Sequence, residues 1–167
     1  MSNIILIGMP GSGKSTLGVL LAKSIGYSFL DSDLVIQKRE GRKLFEIIND
    51  IGLDGFILCE EAAVKSIDTD ETVIATGGSV VLSEDAMEHL RKMGSIVYLK
   101  VSPSNLEMRI KNIKTRGIVM SKNETIYDVY NARAPLYEKY ADITVDLCNS
   151  HIEESVEKTM NLLNTEV

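Results

Sequence analysis

The octet Gly8-Met9-Pro10-Gly11-Ser12-Gly13-Lys14-Ser15 comes straight off an apolar run, Ile4-Ile5-Leu6-Ile7. This junction constrains the fold more than any other feature of the chain. A strand that is apolar at every position needs cover on both faces, as in the parallel sheets of α/β proteins. Glycines at 8, 11 and 13 let the backbone curl and turn its N–H groups inward. The helix expected next, over Ser15–Ser24 with Leu17, Leu20, Leu21 and Ile25 on its inner face, offers its N-terminus to an anion. The spacing Gly-x-x-x-x-Gly-Lys-Ser is that of a phosphate-binding loop. Gly11, Ser12, Gly13, Lys14, Ser15 and Thr16 are therefore expected around nucleotide phosphates. Lys14 belongs on the β- and γ-phosphates, and the Ser15 hydroxyl on Mg2+.

The rest of the chain continues the strand–helix alternation. Gly26 ends the first helix, and Tyr27–Leu30 reads as a second strand. Helical pieces follow at Leu34–Arg39, Lys43–Asn49 and Phe56–Ser66, interrupted by Gly41, Gly52 and Gly55. Thr72–Ala75 is a buried strand running into Thr76-Gly77-Gly78-Ser79. Glu84–Lys92 is an amphipathic helix closed by Gly94, Ser95–Lys100 a strand, and Ser104–Ile113 a helix opened by Ser102-Pro103. Thr115–Asn123 lacks periodicity and is expected to be a mobile loop. Ile126–Tyr140 is helical, with a break or kink expected at Pro135. A strand at Ile143–Asp146 and a helix at Ile152–Leu163 complete the pattern. Such alternation calls for an α/β fold of three layers, a mostly parallel five-stranded sheet with helices on both faces. At 167 residues the chain is expected to form one domain.

Composition narrows the function classes. The net charge of -6 argues against a nucleic-acid binder, which needs a basic footprint. Cys59 and Cys148 fit no zinc or redox spacing and are expected as free thiols. The first apolar run is too short for a signal peptide or membrane span, so no membrane partner and a cytoplasmic location are expected.

In parallel α/β sheets, ligands sit beyond the carboxyl ends of the strands. Three motifs follow strands here and should share that rim. The second is Asp31-Ser32-Asp33. On an extended segment these two carboxylates point to the same side, and like charges so close need a cation or hydrogen-bond donors. Asp31 suits the nucleotide's Mg2+, and Asp33 suits a substrate hydroxyl, either orienting it or accepting its proton. A solvated turn capping the next helix is the plainer alternative. The third motif, Gly77-Gly78, permits close backbone approach to a ligand, or is merely a tight turn.

The glycine-rich opening, "FLDSD", "ATGGS" and "ARAPLYEKYAD" together resemble the shikimate kinases, in order and spacing, over nearly the whole chain. The resemblance implies a P-loop NTPase fold of the nucleoside-monophosphate-kinase-like type. It also implies a MgATP-dependent, monomeric kinase acting on the 3-hydroxyl of shikimate, a cyclic carboxylate. By position it implies that Lys14 and Ser15 hold phosphates and Mg2+, with Asp31 on the metal through water. Asp33 would bind and activate the acceptor hydroxyl, and Gly77 and Gly78 would contact the acceptor through their backbone. Arg109 would lie against adenine, Arg116 would neutralise the transferring group from a lid at 114–124, and Arg133 would hold the acceptor carboxylate. The acceptor-binding segment falls around 33–62. Without the resemblance, Arg116 reads as a solvated loop charge, and Arg133 as a surface residue paired with Glu138 or Asp142.

Three departures from the family pattern stand out. Ile57 occupies the place of a second carboxylate-clamping arginine in "F-R-x-x-E". Ser79 replaces the third glycine, and Arg116-Gly117-Ile118-Val119 replaces Arg-Pro-Leu-Leu. Loss of a bidentate arginine weakens carboxylate binding. Either another basic residue supplies the contact (Lys65, Arg39 or Arg42), or the acceptor is a different small hydroxyl compound. A noncatalytic nucleotide or metabolite sensor is the alternative of another class.

Overall fold

The structure is a computed structural model that describes residues 2–111, 120–148 and 150–165. Five strands form one sheet: β1 (Asn3–Ile7), β2 (Ser28–Asp31), β3 (Thr72–Ala75), β4 (Gly94–Lys100) and β5 (Ile143–Asp146). Their order is β2-β3-β1-β4-β5, and every pairing is parallel. Among the described residues seven α-helices accompany it: α1 (Lys14–Ile25), α2 (Ser32–Glu40), α3 (Leu44–Lys65), α4 (Glu84–Met93), α5 (Pro103–Lys111), α6 (Ile126–Tyr140) and α7 (Ile152–Thr165). Every residue of β1 and β3 is buried, which requires layers on both faces.

β1 is the central strand, with β3 on one side and β4 on the other. Its carboxyl end is thus the switch point where such sheets bind ligands. At the opposite end the buried Asn3 amide donates to the carbonyls of Thr69 (2.6 Å) and Met93 (3.2 Å) and accepts from Thr72 N at 3.0 Å. The sheet's lower edge is thereby fixed by one polar side chain with its hydrogen-bonding groups satisfied.

Two apolar clusters divide the core. The larger runs over both faces of the sheet and includes Leu6, Leu17, Leu21, Ile74, Val97 and Tyr137. The smaller, Ile36, Ile47, Phe56 and Ala63, joins α2 to α3. The acceptor segment expected around 33–62 thus carries a small core of its own.

Some expectations are corrected. Leu20 stays 36% exposed, at the edge of the α1 inner face, while Leu17 and Leu21 are fully buried. Gly55 interrupts nothing. The interruption expected at Gly52 is present, as a kink with non-helical backbone within α3. α6 runs through Pro135 without a break. Gly94 both caps α4 and starts β4. Both cysteines are free. Among the described residues no helix is long and apolar enough to cross a membrane. Most of the expected lid, including Arg116 and the rest of 112–119, lies outside the described residues.

Candidate active site

The glycine loop wraps between the end of β1 and the first turn of α1. Gly11 and Gly13 take positive φ, 79° and 92°, so the chain reverses without a side-chain clash. Lys14 is buried and turned back on its own loop, donating to Gly8 O at 2.7 Å and Met9 O at 2.8 Å. Its ammonium is thus already anchored at the cradle. Arg109, from α5, lies over the loop and donates to the carbonyls of Gly11 (3.2 Å) and Ser12 (3.4 Å). The guanidinium thus rests on backbone carbonyls of the glycine loop.

Asp31 and Asp33 do not share an extended segment. Asp31 ends β2, and Asp33 already lies in the first turn of α2. Asp31 accepts two hydrogen bonds at once. Its Oδ1 caps α2 by accepting from Asp33 N at 2.9 Å, and its Oδ2 accepts from the Ser15 hydroxyl at 2.7 Å. The helical turn separates the two carboxylates, so Asp31 faces the phosphate loop while Asp33 Oδ1 lies at Gly77. The Ser15 hydroxyl and Asp31 carboxylate are hard oxygen donors at a helix N-terminus. Such a pair fits Mg2+, which keeps several waters and takes its remaining ligands from phosphates. No cluster of three or more acidic, histidine or cysteine ligands exists among the described residues.

The turn after β3 is fastened from several directions. Thr76 donates to Leu6 O through both its backbone N–H (3.1 Å) and its hydroxyl (2.8 Å). Gly77 N donates to Ser32 Oγ at 3.2 Å, and Tyr137 OH donates to Gly78 O at 2.5 Å. Ser79 Oγ donates to Glu60 Oε2 at 2.5 Å. No side chain fits on either glycine. A Cβ at Gly77 would run into Glu60 Oε1 and Asp33 Oδ1, and one at Gly78 would lie 2.7 Å from Pro10 Cδ. These contacts join the phosphate loop, Asp33 and the turn into one rim.

Arg133 belongs to this rim, not to the surface. It is only 5% exposed on α6, and its charge acts on Glu60 and Tyr137. The surface partners expected for it are taken elsewhere. Glu138 accepts from Lys100 at 3.3 Å, and Asp142 accepts from Ile96 N at 2.8 Å. The substitutes considered for the missing arginine are also elsewhere. Arg42 pairs with Asp50 at 2.7 Å, Lys65 sits 3.9 Å from Glu61 and 3.6 Å from Asp85, and Arg39 is an exposed neighbour of Cys59. Ile57 is half-buried on α3, one turn before Glu60.

Glu60, Tyr137 and Ser32 were not singled out from sequence. Glu60 carried a visible signal: it is an acid on the face of α3 that otherwise buries Phe56, Ala63 and Val64. It is 2% exposed, and burial together with the nearby Asp33 pushes its carboxyl up to about 7, against the opposing pull of Ser79, Arg133 and Lys14.

The family model for shikimate kinase matches residues 10–164. The chain belongs to the shikimate kinase family. Curated shikimate kinases are similar along most of their length. That of Thermodesulfovibrio yellowstonii is 40% identical over 95% of this chain and 92% of its own. That of Thiobacillus denitrificans is 39% identical over 90% and 84%. Among solved structures, shikimate kinase from Acinetobacter baumannii in complex with shikimate superposes with a TM-score of 0.90, at 29% identity, over 99% of this chain and 94% of the other. A gluconokinase from Sinorhizobium meliloti, at 19% identity and a TM-score of 0.57, shares the fold. Membership in this family makes the chain a small-molecule kinase of the ATP-using type.

Proposed function

We propose that the chain transfers the γ-phosphoryl group of MgATP to the 3-hydroxyl of shikimate, giving shikimate 3-phosphate. One observation carries the reading. Gly78 packs on Pro10 of the phosphate loop while its neighbour Gly77 packs on Asp33, so phosphate cradle and acceptor groups meet at two consecutive residues. Such contact suits direct transfer, where positioning and charge neutralisation do nearly all the work.

The roles follow from the chemistry of each group. Lys14 exchanges its hold on the Gly8 and Met9 carbonyls for the β- and γ-phosphates. Asp33 accepts the proton of the attacking hydroxyl, and Gly77 and Gly78 bound the acceptor with bare backbone. Arg133, buried and rigid, takes the acceptor carboxylate through its planar fork. Arg109 borders the nucleotide, and the role of neutralising the transferring phosphoryl group falls to Arg116, which lies outside the described residues. Mg2+, on Ser15 and through water on Asp31, supplies neutralisation of phosphate charge when bound.

The test is ADP production from MgATP with millimolar shikimate against a no-acceptor control. Fast acceptor-dependent release supports the reading, and ATP binding without it refutes the reading. Ile57 favours a second reading, in which the acceptor is another small hydroxyl compound with less need for a carboxylate clamp. The two are separated by Ile57→Arg. If shikimate is a poor substrate of the native chain, the variant improves its kcat/KM about tenfold or more, since a recovered charge-assisted pair contributes at least about 1.5 kcal/mol.

A further inference from the structure

Among the described residues, Glu60 is the one acid inside the acceptor rim without an evident task. Its two oxygens differ. Oε2 receives the Ser79 hydroxyl, whereas Oε1 is buried beside Gly77 with no hydrogen-bond partner among the described residues. An ionised carboxylate half-satisfied in such a place is costly, and the neutral acid is less so.

The charges that act on Glu60 come from three helices. Asp33 on α2 opposes its ionisation, while Arg133 on α6 and Lys14 on α1 favour it. Tyr137, also on α6, faces it as a neutral phenol held un-ionised by burial. On α3 itself, Glu61 is turned away toward Ser83 and Lys65, and Ile57 brings no charge. Arg133 therefore has two claimants, Glu60 and any incoming carboxylate. When the incoming anion takes the guanidinium, Glu60 loses the main side-chain cation that kept it ionised.

We propose that Glu60 takes up a proton as the acceptor carboxylate settles on Arg133, so that one buried carboxyl, tied by Ser79, supplies the charge balance a second arginine at position 57 would give. This rests on shikimate, or an acceptor like it, being the anion at Arg133. Binding and protonation then favour each other, and affinity for an anionic acceptor must fall as pH rises. With Glu60 half-protonated near pH 7 in the free protein, the dissociation constant rises by about 30-fold from pH 6 to 8.5 if the bound form keeps its proton throughout. Ser79 and Ile57 are then linked departures. The hydroxyl steadies a carboxyl that has no arginine at position 57 beside it.

The experiment is calorimetric titration of the full-length protein with shikimate at pH 6 to 8.5, in buffers of different ionisation enthalpy. The expected result is uptake of close to one proton per shikimate at pH 8, absent for the uncharged methyl ester of shikimate and absent in Glu60→Gln. Ser79→Ala, which removes a donor to the anion, moves the pH dependence upward. Shikimate binding with no proton uptake, or with the same uptake in Glu60→Gln, overturns the inference and leaves the acceptor assignment standing. Failure of shikimate to bind at any pH overturns both.

Discussion

At the residue scale the acceptor rim depends on places where nothing protrudes. Gly77 is held at its N–H by Ser32, and its Cα lies against carboxyl oxygens of both Glu60 and Asp33. Gly77→Ala therefore forces one carboxyl aside. A displacement of about 1 Å at a reacting group costs on the order of 100-fold in rate. We expect that loss in kcat/KM for the acceptor, with MgATP affinity within about twofold of native, measured by initial rates and nucleotide titration. Glu60 gives a second expectation through stability. Its carboxyl binds a proton more tightly folded than unfolded, so the folded form is favoured while both are protonated, and that advantage is lost as pH rises from about 4.5 to about 7. Above pH 7 the full penalty remains, about 3 kcal/mol for a shift of this size. Glu60→Gln escapes it. Denaturant melts should show the variant gaining on the native protein across that window and holding the gain at pH 8. A constant difference at every pH would mean that Glu60 is not neutral in the folded state. This residue also marks where sequence reading stopped. The Gly-Lys-Ser motif is legible because its spacing alone dictates a geometry. A glutamate on an amphipathic helix is legible only once the turn it meets, 19 residues away, is in place.

At the scale of elements, alternation and glycine punctuation disclosed the sheet almost in full, because a fully apolar strand of four or five residues has no place but a covered parallel sheet. The helices were harder. Gly52 and Gly55 look alike in sequence, yet only Gly52 leaves the helix, at φ 72° and ψ -177°, a region open essentially to glycine alone. Pro135 looked like a break, yet α6 continues through it with Arg133 and Tyr137 buried on either side. Packing of that face against the rim outweighs the lost hydrogen bond. Asp33 was misplaced for a related reason: Asp31 caps α2 at once, so the strand ends earlier than its carboxylates suggested. The bend at Gly52 sets the angle between the start of α3 and the half that carries Ile57 and Glu60. Gly52→Ala has open space for its methyl group but not the backbone freedom. It should cost about 1–3 kcal/mol, seen as a lower Tm. It should also raise the acceptor KM with little change in KM for ATP, since the start of α3 packs through Ile47 on Ile36 of α2. Equal effects on both constants would show that the bend serves the whole domain and not the acceptor side.

At the scale of the molecule, α6 is the element that reaches both halves of the rim. Tyr137 donates to Gly78 O on the acceptor side, and its hydroxyl also lies 3.9 Å from Met9 Sδ in the phosphate loop. Pro10 of that loop rests on Gly78. On the proposed function, nucleotide and acceptor would therefore press on the same turn, and ordering it for one should ease the binding of the other. Coupling between two sites is commonly 5- to 150-fold and must be reciprocal. We expect shikimate to bind several-fold more tightly in the presence of a nonhydrolysable ATP analogue, and the analogue to gain equally from shikimate. Tyr137→Phe keeps the ring, which stacks on Tyr98 at 5.1 Å between centroids, but leaves Gly78 O without its donor. It should cost about 1–2 kcal/mol in stability and cut the coupling at least threefold in both directions, measured by titration of each ligand with and without the other. Loss of affinity for both ligands with coupling unchanged would instead make Tyr137 a structural prop of the rim. It would then shift the link between the two halves to the Pro10–Gly78 contact, where Pro10→Ala is the variant that should break it.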